Sequence, residues 1–217
     1  MDIDPDTAAP PEVSQQQLRL ALRRAASALK EHGVAFALAG GYALWVRGAP
    51  EPEHDVDLVI SEPDVQSAAE CLEAAGFQIE RPPEDWLFKA YLDGAMVDVL
   101  HRLNTVPVDP ELVRSAQPHE VLGLHIPVLG SDQVIASRLL ALTERYCDFG
   151  RLLPGVRAVR EQLDWNEIES RTAHNDFAVA FLFLVRRLGI ADAAVTDAVA
   201  TDAAEPGIRN GSATPLR

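Results

Sequence analysis

The chain has 217 residues and a formal net charge of -14, with 33 acidic against 19 basic side chains. That length carries one large domain or two small ones, and the acidity excludes broad adhesion to nucleic acid, which depends on Lys and Arg neutralising phosphates. Only Cys71 and Cys147 are present, in no metal-type spacing, and no apolar run approaches the roughly 20 residues needed to cross a bilayer, so the cytoplasm is the expected compartment.

Residues 1–12 carry three Asp and three Pro with little to bury and read as a flexible N-terminus. From Ser14 the run Leu18, Leu20, Ala21, Leu22, Ala25, Ala26 and Leu29 recurs at helical spacing, with Gly33 as the stop. Val34 to Ala39 is a short apolar strand, Gly40-Gly41 a turn, and Tyr42 to Arg47 a short helix. Asp55 to Ile60 reads as a strand with two acids at its start, and Ser61-Glu62-Pro63 opens a helix that runs to about Ala75 before Gly76. Trp86 to Leu92 and Ala95 to His101 flank Asp93-Gly94, a dipeptide suited to positive φ, which predicts a β-hairpin. Beyond Val108 the pattern is mainly helical: Asp109 to Ala116, Ser131 to Tyr146, Pro154 to Leu163, Trp165 to Arg171 and Asn175 to Leu188, with a brief strand over Ile126 to Leu129. The expected organisation is an α+β core over residues 13–130, a helical extension over 131–192 and a flexible tail over 193–217.

Chemistry gathers at three aspartates. Asp55 and Asp57 lie two apart in a strand, so both carboxylates project from one face. Asp98 sits in the middle of the apolar strand Met96-Val97-Asp98-Val99-Leu100, where an unpaired carboxylate would cost several kcal/mol, so it needs a partner. Converging carboxylates repel by roughly 4 kcal/mol at about 4 Å and an effective dielectric near 20, and a hard cation such as Mg²⁺ relieves that repulsion while leaving coordination positions for phosphates. Gly40-Gly41, between a strand and a helix, lets backbone amides approach a phosphate. Trp86, Phe88, Trp165, Phe177, Phe181 and Phe183 read as core or helix-packing residues rather than base-stacking platforms.

The order of these features is more specific than any one of them: Ala39-Gly40-Gly41-Tyr42-Ala43-Leu44, then His54-Asp55-Val56-Asp57-Leu58-Val59, then Val97-Asp98-Val99-Leu100. Over about residues 34–101 the chain resembles the bacterial nucleotidyltransferase superfamily with the DNA polymerase β-like catalytic fold. The resemblance implies a mixed sheet flanked by helices, with Asp55, Asp57 and Asp98 as catalytic metal ligands. Asp57 would bridge two ions, Asp98 would help activate the acceptor hydroxyl, and Gly40 and Gly41 would line the triphosphate. The cofactor implied is Mg²⁺ or Mn²⁺, with an NTP as substrate. Small bacterial members include antibiotic adenylyltransferases and toxins that modify tRNA, so the acceptor is tRNA or another RNA, or a small molecule such as an antibiotic.

One departure concerns the phosphate side. Many small bacterial members carry Arg and Thr four and two positions before the first Asp, where this chain has Glu51 and Glu53. Arg47 or Lys89 is expected to supply the missing positive charge, and Arg138 and Arg145, seven residues apart on one expected helix, are further candidates. The two glutamates also keep open an alternative: an inactive nucleotide-binding or interaction module of a toxin–antitoxin system, with an antitoxin protein as partner.

Overall fold

The computed structural model describes residues 13–191, so the expected flexible segments 1–12 and 193–217 lie outside the described residues. Helix α1 (Gln15–Glu31) opens on a capping box: Ser14 Oγ accepts from the Gln17 amide, and Gln17 Oε1 accepts from the Ser14 amide at 3.0 Å. Its apolar stripe, Leu18, Ala21, Leu22, Ala25 and Leu29, is fully buried. Each such leucine contributes about 1.5–3 kcal/mol by leaving water.

A seven-stranded mixed sheet forms the centre. It comprises β1 (Phe36–Leu38), β2 (Asp55–Ile60), β3 (Gln78–Glu80), β4 (Leu87–Leu92), β5 (Ala95–Leu100), β8 (Gln117–Val121) and β9 (Leu124–Val128), in the order β3-β4-β5-β2-β1-β9-β8. A separate ribbon pairs β6 (Arg102–Leu103) with β7 (Val106–Pro107). Helix α2 (Gly40–Trp45) follows β1, while a 3-10 turn at Glu62–Asp64 leads into α3 (Val65–Ala74). Helix α4 (Pro110–Ser115) precedes the β8–β9 hairpin, and α5 (Ser131–Leu140), α6 (Phe149–Val159), α7 (Trp165–Thr172) and α8 (Asp176–Arg187) complete the described chain. Helix α1 packs on α3 and on β2, β4 and β5, whereas α5 and α6 pack on α2. This is the α+β architecture that the sequence pattern predicts.

Three elements differ from expectation, each for a local reason. The helix expected over Ser131 to Tyr146 stops at Leu140, because the side-chain amide of Asn175 donates to the carbonyls of Leu140 and Leu142 at 3.2 and 3.0 Å. Those captured carbonyls end the helical ladder, and Thr143 instead pairs with Tyr146 across a tight turn. Arg145 therefore does not share a helix face with Arg138. Helix α6 begins five residues before Pro154, capped by Asp148, and carries the proline inside it. The next residue, Gly155, lies where a side chain would press on Leu44 of α2, so a small residue suits this helix crossing.

The strand expected at Ile126 to Leu129 is the second arm of a full β8–β9 hairpin, turned by Leu122 and Gly123 at φ 52° and 80°. Leucine at positive φ gives no sequence signal for such a turn. A similar two-residue turn joins β6 to β7, with Asn104 at φ 51° and Thr105 at φ 70°. Positive φ is costly for a β-branched residue. Thr105→Gly creates the Asn-Gly dipeptide that this turn favours and is expected to raise stability by about 1 kcal/mol, roughly 2–4 °C in a thermal melt of a chain this size.

Candidate active site

Strands β2 and β5 run parallel with Asp57 opposite Asp98, and β4 runs antiparallel to β5 with Lys89 opposite Asp98. Registered residues share a face, so Asp57, Asp98 and Lys89 form a row across three strands, with Asp55 two residues along β2. One carboxylate oxygen from each of Asp55, Asp57 and Asp98 lies within 4.8 Å of the others. The structure thus brings together the three acids that the sequence singled out.

The protonation balance of this cluster is set by crowding. Burial first, then the charge of Asp55, pushes the Asp57 carboxyl up to about 7, against the opposing pull of Arg138. Asp98 is also raised, by burial, although its hydrogen bond to Lys89 works the other way. Lys89 Nζ donates to Asp98 Oδ1 at 2.9 Å. Burial disfavours the Lys89 charge, but the hydrogen bond and the charge of Asp98, with smaller help from Tyr91 and Asp55, together outweigh it and hold the ammonium above its usual range. One lysine cannot balance three converging carboxylates. An oxygen donor set this close, with Asp57 driven towards protonation, fits a hard divalent cation that would replace the proton.

Gly40 holds the cluster's geometry. It takes φ 53°, and a Cβ there would fall 1.7 Å from Asp57 Oδ2, so the carboxylate occupies the space that any side chain would need. The Gly41 backbone amide lies close enough to favour the charge of the same carboxylate. A Cβ on Gly41 would lie 2.5 Å from Pro52 and 3.5 Å from the Arg138 guanidinium. Both glycines therefore let α2 begin hard against the acids.

The candidate cations separate clearly. Arg47, at the far end of α2, donates to the carbonyls of Ala43 and Val128 at 2.8 and 3.4 Å, and burial lowers its pKa. Lys89 is engaged with Asp98. Arg138, half-buried on α5, makes no hydrogen bond or ion pair among the described residues, although it lies beside Gly41 and acts on the charge of Asp57. Glu51, one of the two unexpected acids, is held by a forked pair of bonds from Arg19, with Nε to Oε1 at 2.7 Å, and by the Tyr42 hydroxyl at 3.2 Å. These bonds, the Arg19 one foremost, hold the Glu51 carboxyl below its usual range. Its role in the structure is to tie α1 and α2 to the loop before β2; Glu53 is exposed.

Two cavities meet at the acids. One, of about 240 Å³, is lined by Gly41, Pro52, His54, Asp55, Arg138 and Arg151. The other, of about 330 Å³, runs between α5 and the β5–β6 segment and includes Gly40, Asp57, Leu100 and Arg138. Trp86, expected in the core, is 42% exposed and lines the second cavity; Phe183 is likewise exposed, on α8. Arg102 is tied to Glu62, with donors at 2.6 and 2.9 Å, and His101, just past the end of β5, is buried. Asn104, Gln133 and Ser137 also line the second cavity, and sequence reading missed them because nothing in their local pattern marks them.

A mixed sheet, a glycine turn and three acids on adjacent strands are the features by which the chain resembles the nucleotidyltransferases. The chain belongs to the family described as "Uncharacterised nucleotidyltransferase", whose profile matches residues 11–193. Its fold is similar to that of the antibiotic-resistance factor ANT(2'')-Ia in solution, at a TM-score of 0.56 and 13% identity, covering 81% of this chain and 100% of that one. The crystal structure of ANT(2'')-Ia in complex with adenylyl-2''-tobramycin gives a TM-score of 0.57 at 14% identity, covering 75% and 98%. An antigenic nucleotidyltransferase-like protein from Paracoccidioides brasiliensis gives 0.51 at 12%, covering 79% and 94%. Comparison with curated proteins gives no significant match. Among the described residues no helix is long and apolar enough to cross a membrane.

Proposed function

We propose that the enzyme transfers NMP from an NTP to an acceptor hydroxyl at Asp55, Asp57 and Asp98. The convergence of these carboxylates from adjacent parallel strands, beside the Gly40-Gly41 turn, carries this reading. Asp55, Asp57 and Asp98 would hold Mg²⁺ or Mn²⁺, which when bound lowers the pKa of the attacking hydroxyl and offsets charge on the phosphates. The acceptor oxygen attacks the α-phosphorus, the bond to the β-phosphate oxygen breaks, and pyrophosphate leaves with that electron pair. Lys89 fixes Asp98 through Oδ1, and the Asp98 carboxylate would accept the hydroxyl proton.

Arg138 is the cation that best fits the triphosphate. It borders both cavities, adjoins Gly41 and forms no ion pair among the described residues, whereas Arg47 and Lys89 are engaged elsewhere. Glu51, being neutralised by Arg19, does not repel a phosphate as an unpaired acid would, which weakens the reading of an inactive module. Arg138→Ala is expected to weaken binding of a non-hydrolysable ATP analogue by about 10–100-fold, the scale of one charge-assisted contact, with partial recovery in Arg138→Lys. Unchanged nucleotide affinity in Arg138→Ala would remove the residue from the triphosphate site.

The catalytic reading is tested by incubating the protein with each α-labelled NTP, Mg²⁺ or Mn²⁺, and separate RNA and small-molecule acceptors. Label should pass to an acceptor with release of pyrophosphate, and an Asp55→Ala, Asp57→Ala double variant should transfer none. Equal labelling by wild type and variant would defeat the assignment of the site.

A further inference from the structure

We infer that the acceptor is a small alcohol with an apolar body, any positive charge lying away from its reacting hydroxyl, seated in the cleft between α5 and the β5–β6 segment. This rests on the reading of the three aspartates as the transfer centre. Transfer between two substrates requires that both reach the same acids, and two cavities meet there. The smaller one carries Arg138 and Arg151 beside Gly41, which suits phosphates. The other differs in kind: its walls are Trp86, Leu100, Leu103, Leu129 and Val134. Neutral polar groups at its rim, Asn104, Thr105 and Ser137, can orient a hydroxyl-bearing molecule without demanding charge.

Size and charge narrow the occupant. The inner cleft of about 330 Å³ adjoins an outer one of about 800 Å³ through Leu103, Asn104, Leu129, Gln133 and Ser137. Each lies within the range of small-molecule sites, about 300–1,000 Å³. A polycation finds no counter-charge in the inner cleft, where Asp57 is the single acid and already belongs to the cluster. In the outer cleft Asp109, Glu144 and Asp176 stand beside Arg171, so counter-charge for an amine lies there and not beside the reacting acids. A polyanionic RNA end fares no better: Arg102 is neutralised by Glu62, so Arg138 alone would meet its phosphates in the inner cleft. An apolar-bodied alcohol loses nothing by entering, and covering the exposed rim of Trp86 favours it.

Calorimetric titration of the full chain tests this with four probes: chloramphenicol, a neutral aryl diol; lincomycin, a singly charged alcohol; tobramycin, a polycation; and tRNA. Binding of a non-hydrolysable ATP analogue with Mg²⁺ is measured in parallel, on wild type, Ala141→Trp and Trp86→Ala. Ala141 is exposed at the cleft, so tryptophan there fills the cavity without entering the core, while Trp86→Ala removes one wall. At least one of the two amphiphilic alcohols should bind at least tenfold more tightly than tobramycin and tRNA. Both variants should weaken that binding at least tenfold and leave nucleotide affinity within twofold. Tighter binding of tobramycin or tRNA, or binding of neither alcohol, overturns the inference. A tenfold loss of nucleotide affinity in Ala141→Trp also overturns it, because the cleft would then seat the nucleoside. Retained alcohol binding with no transfer of labelled NMP to any acceptor would defeat the transfer reading and leave the cleft assignment standing.

Discussion

Asp57→Asn is expected to reduce nucleotidyl transfer by roughly 10³-fold or more while making the metal-free protein more stable at pH 8. The loss follows from removing a cation ligand at the centre of the cluster, where charge stabilisation supplies most of the rate. The gain follows from proton linkage. Asp57 titrates near 7 in the folded protein because burial and Asp55 oppose its charge, whereas an unfolded aspartate titrates near 4. Between those values the folded state holds a proton that the unfolded state has lost. Stability from this group is therefore full below about pH 4, falls as pH rises and is gone above about 7. Each unit of that interval is worth about 1.4 kcal/mol, so the total is of order a few kcal/mol. Thermal melts in chelator from pH 4 to 8 should show wild type losing stability across this window and Asp57→Asn losing much less. Parallel profiles for the two proteins would show that Asp57 is not the strained group.

Gly40→Ala should be nearly as damaging to transfer, without removing any charged group. The new methyl would fall 1.7 Å from Asp57 Oδ2, and φ at 53° is strained for alanine in addition. Either α2 or the carboxylate must move. A shift of about 1 Å in a catalytic group can cost 10²-fold, and the strain adds about 2 kcal/mol of destabilisation. Gly48→Ala is the matched control: Gly48 also has positive φ, at 103°, but a methyl there meets nothing within 4 Å. It should cost about 1 kcal/mol in a denaturant melt and leave the rate intact. Equal rates for the two variants would mean that contact with Asp57 does not position the acid.

What the sequence revealed and what it hid differ by the range of the interactions. The Asp93-Gly94 hairpin, the amphipathic helix that follows Ser14 and the alternation that sets Asp55 beside Asp57 are local, and the structure contains each of them. The row of Asp57, Asp98 and Lys89 depends on the pairing of β2 with β5, which residue order suggests but cannot enforce. The early end of α5 was hidden because its cause, Asn175, lies 35 residues away from Leu140. The nearness of Arg138 to the acids was hidden for the same reason: it depends on how α5 packs against α2. Glu51 looked like a defect in the phosphate site, since its partner Arg19 sits 32 residues upstream on α1. The β8–β9 turn was missed for a different reason, an atypical residue at a conformation usually given to Asn or Gly.

Arg138 faces two cavities at once, and a side chain shared in this way couples whatever fills them. Drawing the guanidinium toward a triphosphate reshapes the wall that an acceptor would touch. By linkage the effect is reciprocal: the factor by which nucleotide changes acceptor affinity equals the factor by which acceptor changes nucleotide affinity. In equilibrium titrations such coupling would make the Kd of each ligand depend on the concentration of the other, and Arg138→Ala should bring the two closer to independence.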